Sequence, residues 1–306
     1  MKKQIICVLA VILIVSINKE STAQKIKLLK KTHLTDYPSA SSLEFYKGKL
    51  YVIGDDASSI WILDKDHRVL DSIVLFPSKE KRIDKAIKAD LESSAIIEVA
   101  NKDCMVLFSS FSGAKRNKII FVNLENNNFR QVNSHIDTVG IEESNIEGAA
   151  NVNGKLVLSN RANTTHKNNS LVFTTLDSNG LGKNDKIINL ILPQKKNIIG
   201  ISGIAYIKEK DMLIFSASTE DTPNAYTDGT IGTSYIGYIK KISKKLDATD
   251  IKADKMISIS KYLSEKSAQK IESMIVEEIK RGKAIVHLAA DNDNGESTLF
   301  KLRLNL

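Results

Sequence analysis

The sequence predicts an all-β fold, a five-bladed β-propeller, and three observations support this prediction. The 306 residues are 42% hydrophobic, 26% charged and 6% aromatic, which is typical of a globular protein rather than a disordered or collagen-like chain. Short apolar runs alternate with Gly, Asn and Asp turns, a pattern that favours strands. A segment also recurs at intervals of 51 to 70 residues, as expected of propeller blades with four strands each.

The first segment of the chain is expected to lie outside this fold. Met1–Lys3 is basic, Ile5–Ile17 is an apolar run of thirteen residues, and Ser21–Ala23 ends a polar stretch, a pattern typical of a secretory signal peptide. The run is shorter than the roughly 20 residues of a transmembrane helix, and an uncleaved membrane anchor is the alternative. We therefore expect a signal peptide over residues 1–23 and one propeller domain over residues 24–306. The mature protein would be periplasmic or extracellular, without a transmembrane anchor.

Charge and cysteine content argue against nucleic-acid binding, a disulfide scaffold and a Cys-based zinc site. Forty-four Lys and Arg residues against 36 Asp and Glu residues give a formal charge of +8. The lysines are scattered and do not interleave with aromatic residues, which argues against a nucleic-acid partner. Two cysteines are too few for a disulfide scaffold or a Cys-based zinc site, and only Cys104 lies beyond the leader.

The repeat is clearest between two segments. Ser41–Val52 aligns without a gap on Glu147–Leu158, and three further segments begin alike, at Leu91–Ala95, Ile201–Ala205 and Ile271–Ile275. The first residues of the five units are spaced by 51, 55, 55 and 70 positions: Ser41, Glu92, Glu147, Ser202 and Glu272.

Each unit contains the same series of strand-like runs. The runs of the first unit are Leu43–Tyr46, Leu50–Ile53, Ile60–Leu63 and Val69–Phe76. The runs of the third unit are Ala149–Val152, Leu156–Ser159, Leu171–Thr174 and Ile187–Leu192. The second run of each unit is apolar throughout, as expected of a strand that is buried on both faces.

The last unit lacks one strand. Its three runs are Ser273–Ile279, Ala284–Ala289 and Thr298–Leu304. Another run, Ile26–Leu34, precedes the first unit, and residues 272–306 and 24–40 together contain 52 residues, a normal unit length. We therefore predict that the N-terminal strand completes the last blade, which removes exposed sheet edges. The alternative is a six-bladed propeller with a degenerate blade in residues 217–265.

The first residues of the five units are expected to form the functional site. They lie on the innermost strands, so their carboxylates and hydroxyls converge on the central channel. Two like charges about 5 Å apart repel by roughly 3 kcal/mol at an effective dielectric near 20, so the ring requires raised pKa values or a cation. An all-oxygen ring suits Ca²⁺ better than Mg²⁺. The predicted metal ligands are Ser41, Glu92, Glu147, Ser202 and Glu272; the alternative is that these residues cap strand ends or bond to neighbouring backbone.

The loops after each second strand should gather over one mouth of the channel. In a phosphohydrolase, Ca²⁺ would polarise a phosphoryl oxygen, Arg161 would stabilise developing charge, and Asp55 or Asp293 would orient water. The candidate substrate-binding residues are Asp56, Lys115, Arg116, Asn160, Glu220 and Asp291. For the acidic residues the alternative is a role in hairpin turns, which favour Asp. Two isolated histidines, His166 and His287, are expected at the surface and in the core respectively.

Two stretches of the sequence resemble a known family. Ser41–Tyr51 followed by Asp55-Asp56 is similar to the Ser-Glu-Leu…Gly-Lys-Leu-Tyr stretch and the Asp-Asp-Arg-Thr-Gly turn of the calcium-activated nucleotidases, or apyrases. Glu147–Ala149 leading to Arg161-Ala162 is similar to their Glu-Ser-Ala unit leading to Arg-Ala. The resemblance covers all five units and implies a five-bladed propeller whose five ring residues hold an axial calcium ion. The chain departs from the family at Ala57–Ser59, where the family has Arg-Thr-Gly.

The departure bears on function, because it removes a cation that is expected to hold nucleotide phosphate. The sequence therefore favours a secreted, calcium-binding propeller with a structural axial ion, which binds a small phosphate-containing ligand or a protein partner without catalysis. The alternative is a calcium-dependent phosphohydrolase acting on nucleotides or related phosphate esters. A weaker likeness to phytase-like and esterase-like secreted propellers rests on Glu-Gly repeat starts. The fold alone does not separate these functions.

Overall fold

The apolar runs of the sequence form strands in a computed structural model that describes residues 26–137, 141–193, 197–224, 229–265, 267–292 and 295–306. Blade one contains β2 (Ala40–Tyr46), β3 (Lys49–Gly54), β4 (Ser59–Asp64) and β5 (Val69–Val74). Blade two contains β6 (Leu91–Val99), β7 (Lys102–Ser109), β8 (Lys118–Asn123) and β9 (Phe129–Asn133). Blade three contains β10 (Ile146–Val152), β11 (Lys155–Asn160), β12 (Asn169–Asp177) and β13 (Gly180–Ile191).

The last two blades follow the same plan with one addition. Blade four contains β14 (Ile199–Ile207), β15 (Met212–Glu220), β16 (Ile231–Lys240) and β18 (Lys255–Ser258). Blade five contains β19 (Ile271–Lys280), β20 (Lys283–Asp291), β21 (Ser297–Asn305) and β1 (Lys27–Leu34). The additional strand, β17 (Asp250–Lys252), leaves blade four and pairs in parallel with β13 of blade three.

The five-bladed architecture and its closure are confirmed. β1 pairs antiparallel with β21, from Lys27 opposite Arg303 to Leu34 opposite Ser297, so the N-terminal strand completes blade five. The described part of residues 217–265 supplies the outer strands of blade four and β17, and forms no sixth blade. The helical segments in the described ranges are turns of three residues each, and none could span a membrane. The predicted signal peptide, residues 1–23, lies outside the described residues.

The core lies between neighbouring blades, and the second strand of each blade contributes to two interfaces. In β7, Met105 and Leu107 pack towards blade one, whereas Val106 and Phe108 pack towards blade three. All four side chains are fully buried because alternate residues of a strand point to opposite faces. Each contributes roughly 1.5–3 kcal/mol through burial, which explains why the second runs are apolar throughout.

Small residues let the innermost strands approach one another at the axis. A Cβ atom at Gly148 would lie 2.6 Å from Ser202 O of the next blade, and one at Gly203 would lie 2.8 Å from Ser273 Cα. Both distances are shorter than atoms tolerate, so a larger residue would push the blades apart at the centre.

Candidate functional site

A β-bulge interrupts each innermost strand at its ring residue. In β6, Leu91 pairs with Ser109 and Ser93 pairs with Phe108, which leaves Glu92 without a partner across the ladder. The same skip occurs at Ser41, Glu147 and Glu272, and in β14 it includes both Ser202 and Gly203. Because a bulge re-aims the side chain that it carries, the five ring residues turn towards the axis although they lie on strands with buried faces.

The ring residues surround a small cavity of about 100 Å³ whose described lining is charged and contains no aromatic side chain. Seven carboxylates line it: Asp55, Asp90, Glu92, Glu147, Glu220, Glu272 and Asp291. Five cations line it: Lys85, Lys88, Arg116, Arg161 and Lys270. If all were ionised, the described lining would carry two excess negative charges. Ser41 also lines the cavity, and Ser202 is fully buried beside it.

On the side of the cavity formed by blades three to five, Arg161, which directly follows β11, lies against three carboxylates. Its Nη2 lies 2.8 Å from Glu220 Oε2, and its Nη1 lies 3.5 Å from Glu272 Oε2 and 3.6 Å from Glu147 Oε2. Nη1 also donates a hydrogen bond to Ser202 Oγ at 2.9 Å. The guanidinium therefore occupies the space among three of the five ring residues. We call this set of side chains the Arg161 side.

Two neighbours complete the Arg161 side. Gly200 provides room, since a Cβ atom there would lie 2.6 Å from Arg161 Nε. Lys270 Nζ lies 2.9 Å from Glu272 Oε1 and 3.6 Å from Glu220 Oε1. Burial alone would raise the pKa of Glu220, but Arg161 and Lys270 hold it below its ordinary value. The carboxylate of Glu220 is therefore stably ionised.

On the side formed by blades one and two, one of three carboxylates has no described bond. Asp55, Asp90 and Glu92 each place a carboxylate oxygen within 4.8 Å of the other two. Lys88 forms ion pairs with Asp55 and, at 2.8 Å, with Asp90 Oδ1, and Arg116 Nη1 lies 3.0 Å from Asp90 Oδ2. Among the described groups, none bonds to the Glu92 carboxylate or to the buried Asp55 Oδ1. We call this set the Lys88 side.

Burial raises the pKa values of carboxyl groups on both sides of the cavity. Burial, together with Asp90 and Asp55, raises the pKa of Glu92 well above its ordinary value. Burial raises the pKa of Asp55 to about 6, although Lys88 opposes the change. Burial also raises the pKa of Glu147 to about 7 despite the opposing effect of Arg161. Several carboxyl groups of the cavity therefore exchange protons near neutral pH unless a cation binds.

The structure brings together some of the remaining sequence-predicted residues and separates others. Arg116, Glu220 and Asp291 line the cavity. Asp56 is buried against Arg82 Nε at 2.6 Å and does not line it.

Three other candidates lie away from the cavity or cannot be placed. Lys115 is exposed outside its described lining. Asn160 accepts a hydrogen bond from Asn145 N at 2.6 Å and donates one to Glu143 O at 3.0 Å, so its side chain shapes a loop. Asp293 lies outside the described residues.

Sequence reasoning missed four charged residues of the site. Asp90 and Lys270 each precede a ring residue by two positions, so the repeat register could have located them once the ring was recognised. Lys85 and Lys88 belong to the connection between β5 and β6, which the aligned repeat segments do not cover, so they gave no periodic signal.

Comparisons with known proteins support the fold. A model described as a family of unknown function (DUF6929) matches residues 36–304. No curated protein matches the sequence. The chain is similar to glutaminyl cyclase from Myxococcus xanthus (11% identity, TM-score 0.53, 92% of this chain and 97% of that chain). It is also similar to an endo-arabinase from Bacteroides thetaiotaomicron (12% identity, TM-score 0.53, 90% and 96%). At these identities the likeness shows the fold alone, and kinship with the apyrases stays a prediction.

Proposed function

The chain belongs to the family of unknown function DUF6929, and we propose that its axial cavity binds a divalent cation, Ca²⁺ in preference, together with a small anionic ligand. The observation that carries this proposal is the unequal bonding of the carboxylates around the cavity, whose described lining has two more carboxylates than cations. On the Arg161 side, all three carboxylates lie against a guanidinium or an ammonium group. On the Lys88 side, Lys88 and Arg116 bond to the aspartates, and the Glu92 carboxylate has no described bond.

The donor set of the Lys88 side fits a hard cation. A single ion with oxygen ligands at roughly 2.3–2.6 Å spans about 4.6–5.2 Å between opposite ligands. The oxygens of Asp55, Asp90 and Glu92 lie within 4.8 Å of one another, and Asp55 Oδ1 is buried without a described hydrogen-bond donor. Bound there, the ion would supply positive charge that attracts an anionic group of a ligand. Among Glu147, Ser202 and Glu272 the guanidinium of Arg161 contacts every member of the set. On the other side, the ammonium of Lys88 contacts Asp55 and Asp90 but forms no described bond to Glu92.

The proposed ligands of the ion are therefore Asp55, Asp90 and Glu92, with Ser41 on the same side, rather than the whole predicted ring. Ser41 Oγ donates its proton to Leu91 O at 2.7 Å, which leaves the hydroxyl lone pairs available.

The chemistry of the lining favours a small anion as the second ligand. Lys85 and Arg116 line the cavity beside the acidic cluster, and such side chains recognise phosphate or carboxylate oxygens. The described lining offers no aromatic surface on which a nucleobase or sugar could stack. We therefore favour binding of a small phosphate-containing ligand without catalysis, in an exported protein as the leader pattern indicates.

Calcium binding is tested on chelator-treated protein by calorimetric titration and thermal unfolding. We expect wild type to gain about 5 °C in Tm at a calcium concentration of 100 times Kd, since such binding adds about 2.7 kcal/mol. Glu92→Gln should lose the response, whereas Glu98→Gln, an exposed carboxylate on the same strand, should retain it. A calcium response of Glu92→Gln equal to that of wild type would contradict the proposed site.

A calcium-dependent phosphohydrolase is the second candidate, and the raised pKa values of Asp55 and Glu147 favour it, because groups that titrate near neutral pH can transfer protons. Phosphate release from GDP, UDP, ATP and a generic phosphate ester would be measured with calcium and with a chelator. Release that exceeds a Glu147→Gln control and requires calcium would establish this function in place of simple binding. No release above the control would leave binding as the function.

A further inference from the structure

A second buried polar cluster lies away from the axis, where blade five closes against blade one. The turn between β4 and β5 carries His67 and packs against blade five, where Lys301 Nζ donates a hydrogen bond to Lys65 O at 2.9 Å. His67 is 4% exposed although it belongs to a turn, and His287, on β20, is fully buried. The cluster therefore joins the blade that contains the N-terminal strand to the first blade of the chain.

Four hydrogen bonds form a continuous chain across this junction. Thr32 Oγ1 lies 3.0 Å from His67 Nδ1, and His67 Nε2 lies 2.9 Å from His287 Nδ1. His287 Nε2 lies 2.8 Å from Glu277 Oε2, and Lys301 Nζ lies 2.7 Å from the same oxygen. Strands β1, β19, β20 and β21 of blade five and a turn of blade one all contribute to it.

The series of hydrogen bonds determines which ring nitrogens carry protons when both imidazoles are neutral. Glu277 is ionised, because hydrogen bonds from His287 and Lys301 outweigh burial and lower its pKa to about 2. His287 must then donate from Nε2, so its Nδ1 accepts a proton from His67 Nε2. His67 Nδ1 in turn accepts from the Thr32 hydroxyl. All four ring nitrogens of the two histidines have a partner in this single arrangement.

Protonation of the two histidines breaks hydrogen bonds of this arrangement. One proton on His67 is accommodated only if Thr32 turns its hydroxyl to accept. A second proton, on His287, would place two N–H groups 2.9 Å apart and two positive rings with centroids 5.1 Å apart. The other charged groups facing the two rings are Lys30, Lys301, Asp64, Asp66 and Glu277. Burial lowers the pKa of His67 to about 3 and lowers that of His287 as well.

We propose that the Thr32–His67–His287–Glu277 chain is an acid-released latch, which holds blade one against the closing blade while both imidazoles are neutral and lets the junction open when they take up protons. The open form binds protons at the ordinary histidine pKa near 6.5, and the latched form binds them only at lower pH. The latch is therefore fully effective above about pH 6.5 and loses stability as the pH falls below it. The opening equilibrium should rise by up to about tenfold per pH unit for each histidine released.

Amide hydrogen exchange of β1 at pH 6.5 and pH 5, corrected for the intrinsic exchange rate, tests the latch. In wild type we expect protection of the β1 amides to fall about tenfold or more, while β11 of blade three keeps its protection. His67→Gln, in which only His287 still titrates, should show a clearly smaller fall than wild type. His33→Gln is the matched control, since this exposed histidine lies on β1 and should leave the pH dependence unchanged. Equal pH dependence in His67→Gln and wild type, no change in wild type, or a parallel loss in β11 would overturn the proposal.

A measurement on wild type keeps the proposal falsifiable if His67→Gln does not fold. Imidazole ¹⁵N chemical shifts should show His67 and His287 as neutral rings protonated on Nε2 at pH 7, with neither titrating above about pH 5.5. Titration of either ring near pH 6.5 in the folded protein would overturn the latch.

Discussion

The two sides of the axial cavity carry equivalent bulges but reach different electrostatic states. On the Arg161 side, one guanidinium bonds to carboxylates from three blades, and Lys270 adds a second cation. On the Lys88 side, three carboxylates lie together and Glu92 has no described hydrogen-bond partner. The bulge fixes where a ring residue points, whereas the residues that flank the ring decide whether its charge is balanced. One half of the cavity thus has its carboxylates bridged by a shared guanidinium, whereas the other half keeps a carboxylate without a described bond, where we propose that an ion binds.

The largest expected effect is on the Arg161 side. Arg161→Ala would leave the buried carboxylates of Glu147, Glu220 and Glu272 without their shared cation, and breaking a buried ion pair from one side costs about 3–5 kcal/mol. We expect a loss of this size in the free energy of unfolding, measured by urea denaturation at pH 8. Arg116→Ala is the control on the other side and should cost less, because Lys88 remains paired with Asp90. A loss below about 1 kcal/mol for Arg161→Ala would show that the two sides do not differ as described.

Glu44, outside the cavity, is a buried carboxyl group that has no cation among its described bonding partners. Glu44 is 6% exposed on β2, and its described hydrogen bond comes from Ser94 Oγ at 3.2 Å. Burial raises its pKa to about 8. Because the folded-state pKa lies above the unfolded one, the protonated form stabilises the fold fully below about pH 4.5, and this stabilisation is lost as the pH rises towards 8.

Replacing Glu44 with the uncharged glutamine should remove this loss of stability at high pH. We expect Glu44→Gln to unfold with a free energy on the order of 2 kcal/mol above that of wild type at pH 8, with little difference at pH 5. Urea denaturation at the two pH values measures the difference, and Glu98→Gln, an exposed carboxylate, should show no such change. Lower stability of Glu44→Gln at pH 8 would mean that the carboxylate form is the favoured one.

The sequence was sufficient to predict the architecture and the convergence of the ring. Both depend on periodicity: apolar runs such as Met105–Phe108 indicate strands buried on two faces, and a repeated first residue indicates equivalent positions around an axis. The closure by the N-terminal strand followed from counting strands in the last unit. The parallel pairing of β17 with blade three had no such signal, because a strand of three residues, Asp250–Lys252, is too short to carry a pattern.

Charge balance within the site could not be predicted from periodicity. Arg161 was expected to stabilise developing charge in a phosphohydrolase. Its guanidinium lies among Glu147, Glu220 and Glu272, a contact that depends on side-chain reach across three blades. Gly200 was the available signal, since it gives Arg161 the space to lie there, but a glycine in a strand has several explanations. On one side of the cavity, the crowded carboxylates are therefore bridged by an arginine of the chain itself.

The smallest expected effect is that of replacing Lys88. In contrast to Arg161, we expect a bound calcium ion to compensate for the loss of this cation. The Lys88 ammonium is paired with Asp55 and Asp90 beside the cavity, and water in the cavity can replace part of the lost bonding, so we expect Lys88→Met to cost about 1–2 kcal/mol at pH 8. The cost should shrink at pH 5, because Asp55 and Glu92 then take up protons more readily, and it should be restored by calcium. Urea denaturation with calcium or a chelator measures both effects, with Lys79→Met, an exposed lysine of the same connection, as the control. If calcium stabilised Lys88→Met less than wild type, the ion would not occupy the position beside Asp55 and Asp90 that Lys88 occupies in wild type.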